Sequence, residues 1–264
     1  MRQVVYRGVS FELAEGSDRP AYFVLGVRKC GTSILNGMVS VLARQQALPF
    51  VDVTGRLFQA GILPGQWCAD AEAARLFDGG NVYGGFRDFP TAIAGLTVFR
   101  AARKILLVRD PRDALISEYF SNAYSHPIPE SGEARELMLQ LRERTLASTI
   151  DAMVLQRAPQ MRRTFMEYAP LLTDPELKLF RYEDVITHKR RLLEEISRHF
   201  GWPVRTALID GILEWADVFP EAERPTEFIR RVTPGDYREK LSSAAISRLN
   251  ALVGDSLRAF GYAS

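Results

Sequence analysis

Histidine and cysteine are scarce, at three and two residues in 264. Cys30 and Cys68 cannot build a disulfide framework, and such low cysteine use fits a reducing, cytoplasmic setting. There is no Cys-x-x-Cys, no His-Glu-x-x-His and no His/Cys cluster at ligand spacing, so no metal is expected. No apolar run approaches the ~18 residues of a membrane span. The opening stretch, MRQVVYRGVSFELAEGSDRP, also lacks the apolar core of a signal peptide. Neither sign of charge dominates: 34 basic residues face 32 acidic ones, for a net +2. The basic residues are scattered rather than gathered on one face, which argues against a nucleic-acid partner. Repeats, low-complexity tracts and obvious linkers are missing too. With 47% hydrophobic residues the chain can build one sizeable core, and residues 1–264 read as a single domain.

What is present is an alternation of strand and helix patterns. Residues 21–26 (AYFVLG) and 104–109 (KILLVR) are short apolar runs of buried-strand type. Residues 48–53, 81–85 and 177–180 are further strand candidates. Helical spacing of apolar residues marks 32–46, and Pro111 suits the first turn of a helix after the 104–109 strand. Residues 133–155 predict one long charged helix, 189–200 another that stops at Gly201 and Pro203, and Ser242 opens a last one running to Phe260. Strands alternating with helices predict a three-layer α/β/α fold with a central parallel sheet.

Between the first strong strand and its helix lies Gly26-Val27-Arg28-Lys29-Cys30-Gly31-Thr32-Ser33. Glycines five positions apart let several backbone N–H groups converge on one anion, and the helix N-terminus adds partial positive charge. A plain strand–helix turn with a solvated lysine is the alternative. The frame is that of a P-loop, yet Thr32 stands where the Walker lysine belongs and Lys29 lies three residues earlier. An ATPase needs that lysine at the β/γ-phosphates. The displaced lysine therefore favours a P-loop-like phosphate-binding turn for a donor other than a Mg–triphosphate.

The second strong strand ends in Arg109-Asp110-Pro111-Arg112-Asp113, with Ser117 eight residues after Arg109. Ligands of open α/β sheets bind beyond the carboxyl ends of strands, so Arg109 and the Lys29 loop are expected to serve one crevice. Alternatively Arg109 pairs with Asp110 or Asp113 on the surface.

These blocks resemble the sulfotransferases that use 3′-phosphoadenosine 5′-phosphosulfate (PAPS). VLGVRKCGTS is similar to the family's 5′-phosphosulfate loop, closest to that of heparan sulfate O-sulfotransferases, and VRDPRDALIS to its 3′-phosphate motif. Arg181-Tyr182-Glu183-Asp184 and FIRRVTPGDY resemble two later blocks, and all four run in the family's order. The resemblance implies that Lys29 bridges the phosphosulfate. Arg28, Cys30, Gly31, Thr32 and Ser33 belong to the same loop, whose Cys30 and Gly31 backbone, with Thr32 and Ser33, would hold the 5′-phosphate. Arg109 and Ser117 would grip the 3′-phosphate, Arg230 and Arg231 would close over it, and Tyr182 would touch adenine or else belong to the core. Cys30 departs from the usual serine or glycine, and Val232 stands where the late segment usually has glycine.

The acceptor needs a general base. Aligning Pro90 of GGFRDFP with the proline after the family's catalytic histidine puts Asp88 on that histidine, with Arg87 beside it. Asp88 is the first candidate and Asp52 the reserve; a turn residue before Phe89-Pro90 is the plainer reading of Asp88. A carboxylate base gains from burial and loses from a neighbouring arginine. His188 and His199 read as solvated or packed. His126, in the polar stretch 121–132, and residues 56–80 with Trp67 and Phe77, either shape an acceptor site or are surface and packing. The partner expected is a small-molecule or carbohydrate acceptor. Two other readings stay open: a P-loop kinase or NTPase with Asp110 on magnesium, and a non-catalytic nucleotide-binding protein of the same fold.

Overall fold

The computed structural model describes residues 1–15, 18–128, 130 and 132–263. In chain order the strands are β1 (Arg2–Tyr6), β2 (Val9–Leu13), β3 (Tyr22–Gly26), β4 (Phe50–Asp52), β5 (Val82–Gly84), β6 (Arg103–Val108) and β7 (Leu177–Arg181). The α-helices are α1 (Thr32–Gln45), α2 (Val53–Gln59), α3 (Thr97–Ala101), α4 (Pro111–Phe120), α5 (Glu133–Leu146) and α6 (Ile150–Tyr168). They continue as α7 (Tyr182–Val185), α8 (Lys189–Phe200), α9 (Thr206–Ala216), α10 (Tyr237–Lys240) and α11 (Ser243–Ala259). Among the described residues no helix is long and apolar enough to cross a membrane.

Contacts divide the chain into two compact units, Met1–Val108 with Leu172–Asp217 and Arg109–Leu171 with Val218–Ser264. The first contains a five-stranded parallel sheet in the order β4-β5-β3-β6-β7, flanked by helices. All five residues of β3 and five of the six in β6 are buried, as parallel strands covered on both faces must be. From β3 the chain first builds β4 and β5 on one side, then β6 and β7 on the other. That reversal makes the carboxyl end of β3 a topological switch point, the usual ligand position in an open sheet. Under it, Phe23 packs edge-on to Phe99, 4.8 Å between centroids, and face-on to Tyr83 at 5.1 Å. Trp67 and Phe77 join this cluster through Phe86, so both serve packing.

The second unit is helical. Arg157 of α6 pairs with Glu118 of α4 at 2.8 Å, and Phe165 of α6 meets Phe260 edge-on at 5.2 Å. Ser242 caps α11, accepting from Ala245 N at 3.2 Å, and its hydroxyl donates to Asp151 of α6 at 2.6 Å. The single long helix expected over residues 133–155 is two helices. Thr149 ends the first pattern and caps the second, its hydroxyl accepting from Ala152 N at 3.2 Å, and α6 then runs past the predicted end through Pro159. A β1–β2 antiparallel hairpin and the helix α9 were not expected from the sequence pattern.

Candidate active site

The turn after β3 begins by extending the sheet: Val27 N donates to Leu107 O of β6 at 3.2 Å. Arg28 N then donates to Arg87 O at 3.2 Å, tying the turn to the segment after β5. Lys29 takes a left-handed backbone conformation, φ 64°, and Gly31 another, φ 87°. Lysine pays steric energy for such a conformation, so the surrounding turn must hold it there. Cys30, between them, is fully buried and its thiol donates to Arg28 O at 3.6 Å. Gly31 is the N-cap of α1, and no side chain caps that end. The first N–H groups of a fourteen-residue helix thus open onto the turn that carries Lys29, Thr32 and Ser33.

Gly31 has a second reason to be glycine. A Cβ there would lie 3.1 Å from Cδ2 of Tyr182, whose ring covers the start of α1. Tyr182 itself is buried directly after β7, and a small apolar cleft beside it is lined by Gly31, Ile34, Leu35, Met38 and Ile186.

Beyond β4 and β5 lies a compact group of charges. Asp52 caps α2, accepting from Gly55 N at 2.8 Å. Gly85, φ 81°, admits this carboxylate, since a Cβ there would fall within 1.8 Å of Asp52 Oδ1. Asp88 is ion-paired with Arg28, and both are largely buried. Arg87 Nη2 donates instead to Ser33 Oγ at 3.3 Å. Burial lowers the guanidinium pKa of Arg87; Asp52 and Asp88 oppose that shift and Arg28 reinforces it. The arginine that faces the first base candidate is therefore Arg28, sixty residues away in sequence, rather than its neighbour Arg87.

In the second unit Arg109 immediately follows β6 and is buried, with Nη2 3.8 Å from Asp113 Oδ2. The surface pair imagined for it is replaced by a buried one. Asp110 turns the other way, accepting from Arg112 Nη2 at 2.7 Å and capping α4 through Arg112 N. Ser117 is half-buried on α4, which continues as a π-helical turn over Ser121–Ser125. His126 follows that turn; its carbonyl accepts from Arg142 Nη2 at 2.8 Å, while Pro129 and Ser131 of the 121–132 stretch lie outside the described residues. Arg230 is buried, ion-paired with Glu223 and Asp236, and stacked 4.2 Å over Phe120. Arg231 donates to Asp236 at 3.1 Å and to Glu239 at 2.6 Å. In the second unit Asp113 and Asp236 link Arg109 to the segment that carries Arg230 and Arg231. The Arg109–Asp113 pair is one the sequence spacing offered, whereas Asp88 as the partner of Arg28, sixty residues away, is one it does not reveal.

Residues 96–261 match the family model of the sulfotransferase domain. No curated protein sequence matches the chain. The mouse sulfotransferase SULT7A1 complexed with PAP has a similar fold, with TM-score 0.62 and 12% identity over 97% of this chain and 94% of that one. Retinol dehydratase in a complex with retinol and PAP is similar at TM-score 0.52 and 14% identity, over 91% of this chain and 82% of that one. The same enzyme with androsterone and PAP gives 0.51 and 15%, over 91% and 81%. Nothing in these matches favours the kinase reading. A phosphate-binding turn at the switch point of a parallel sheet, with a domain match covering more than half the chain, identifies this protein as a member of the sulfotransferase family.

Proposed function

We propose that this sulfotransferase takes its sulfuryl group from PAPS and passes it to a hydroxyl or amine of a small-molecule or carbohydrate acceptor, releasing 3′,5′-adenosine bisphosphate. The observation that carries the reading is the turn after β3. It offers a left-handed Lys29 and the uncapped N-terminus of α1 to one anion, and it lacks a lysine at the Walker position. PAP bound in the similar folds supports the nucleotide, and the retinol and androsterone bound there support a small acceptor. A cytoplasmic location belongs to the same reading, on the cysteine usage.

Sulfuryl transfer is an in-line displacement governed by positioning and charge. The acceptor oxygen or nitrogen forms a bond to sulfur as the bond from sulfur to the 5′-phosphate oxygen breaks, and the electron pair leaves with the phosphate. Lys29, with the backbone of Cys30 and Gly31 and the hydroxyls of Thr32 and Ser33, holds the phosphosulfate and stabilises that leaving charge. Arg28 belongs to the same loop, and Arg109, Ser117, Arg230 and Arg231 take the 3′-phosphate. Tyr182, whose ring lies over the start of α1, covers the adenine in this reading. Asp88, ion-paired with Arg28, accepts the acceptor's proton, and Arg87 adds positive charge nearby. Asp52, engaged as the α2 cap, is the reserve.

Turnover measured with a panel of phenols and amino sugars should fall by about 10²–10⁴-fold in Asp88→Asn, the usual contribution of a general base. Binding of 3′,5′-adenosine bisphosphate should survive unchanged. An Asp88→Asn enzyme of normal activity would overturn the base assignment, and loss of activity in Asp52→Asn alone would transfer the role.

A further inference from the structure

The carboxylate of Asp113 is buried and meets three groups of consequence, all within the second unit. Its side chain is 1% exposed. Oδ2 lies 3.8 Å from Arg109 Nη2 and accepts from Gly235 N at 2.6 Å, while Oδ1 accepts from Tyr237 N at 3.0 Å. Those two amides bracket Asp236, which is also 1% exposed at its side chain. Asp236 in turn divides its two oxygens between Arg230 and Arg231. Asp113 therefore sits at the junction of every arginine assigned to the 3′-phosphate: it lies beside Arg109 directly, and it fixes the backbone on both sides of the carboxylate that orients the other two.

We infer that Asp113 is a positioning residue for recognition of the donor's 3′-phosphate, acting through Arg109 and through Asp236 on Arg230 and Arg231. Buried carboxylates accepting two backbone N–H groups are rigid anchors, and charge-assisted bonds of this kind are about twice as strong as neutral ones. A first-turn aspartate of α4 would be sufficiently explained as a helix N-terminal charge if it stopped at its own helix. It does not stop there, since both its strong hydrogen bonds go to a segment more than a hundred residues away. Asp113 touches no donor atom in this scheme. It sets where three guanidinium groups stand when the phosphate arrives.

The inference rests on the proposed PAPS reading, and one set of titrations separates the two. Binding of 3′,5′-adenosine bisphosphate and of 5′-AMP is measured calorimetrically for the intact chain, Arg109→Ala, Asp113→Asn and Asp236→Asn. The intact protein should prefer the bisphosphate, and Arg109→Ala should lose most of that preference; if either fails, the PAPS reading falls. If both hold, Asp113→Asn should weaken bisphosphate binding by about tenfold or more, the scale of one charged hydrogen bond, while 5′-AMP binding stays within about twofold. A merely structural role would lower both ligands together. Asp113→Asn binding both as the intact protein does, or losing both equally while still folded, overturns the inference. Should Asp113→Asn fail to fold, Asp236→Asn decides. It leaves the Asp113 hydrogen bonds in place, and the relay predicts the same selective loss; an undiminished preference for the bisphosphate contradicts it.

Discussion

Two residues of the phosphate turn adopt left-handed conformations for different reasons. In Lys29 the conformation is imposed by the turn, which the backbone bonds from Val27 and Arg28 hold in place. Gly31 adopts it without steric cost, and the Tyr182 ring separately leaves no room there for a side chain. Gly31→Ala should therefore lower stability by about 1–2 kcal/mol from the left-handed backbone alone, before the contact with Tyr182 is counted. A denaturation midpoint measures this, and an unshifted midpoint would mean that Gly31 does not hold the left-handed conformation described. At this scale the sequence was informative wherever function is written in consecutive letters. GVRKCGTS marks the turn between β3 and α1, and RDPRDALIS the passage from β6 into α4. Pairings across sixty or more residues were hidden. No local pattern says that Arg28 rather than Arg87 faces Asp88, or that Asp113, which looks like a surface partner for Arg109, reaches Gly235 and Tyr237.

At the scale of elements, all five strands of the parallel sheet were legible as short runs ended by glycine or charge; burial on both faces makes the central β5, β3 and β6 apolar, while the edge strands β4 and β7 are half-exposed. The β1–β2 hairpin was missed because its strands are half-exposed and joined only by Arg7-Gly8. Their paired positive φ angles, 49° and 78°, mark the tight turn that a two-residue hairpin needs. The joint between α5 and α6 was missed because charged periodicity continues through it, and only Thr149 signals the new start. His199 shows how helices are fastened to the sheet. From α8 its Nε2 lies 3.0 Å from Lys104 O on β6 and 3.2 Å from Glu176 O just before β7. Burial holds its pKa below the ordinary value, against the pull of those carbonyls. The native state thus favours the neutral ring, and its contribution is complete above pH about 6.5, the ordinary histidine value. It is lost as pH falls from there toward the depressed native value. Thermal midpoints between pH 5 and 7.5 should drop more steeply on acidification in the intact protein than in His199→Gln. Parallel curves would assign the acid sensitivity elsewhere.

At the scale of the whole molecule, a nearly balanced charge leaves no broad electrostatic field to gather anions. On the proposed PAPS reading, selectivity for the 3′-phosphate then rests on local groups, Arg109, Arg230 and Arg231. The family match fixes the class of reaction, while the acceptor is written in side chains that fold and donor motifs do not specify. The most direct test is calorimetric titration of 3′,5′-adenosine bisphosphate, 5′-AMP and ATP, each with and without magnesium. The predicted result is binding that depends on the 3′-phosphate, ignores magnesium and exceeds that of ATP by about tenfold or more, as an extra charge-assisted contact implies. ATP binding as tightly or more tightly, particularly once magnesium is added, would contradict a PAPS donor.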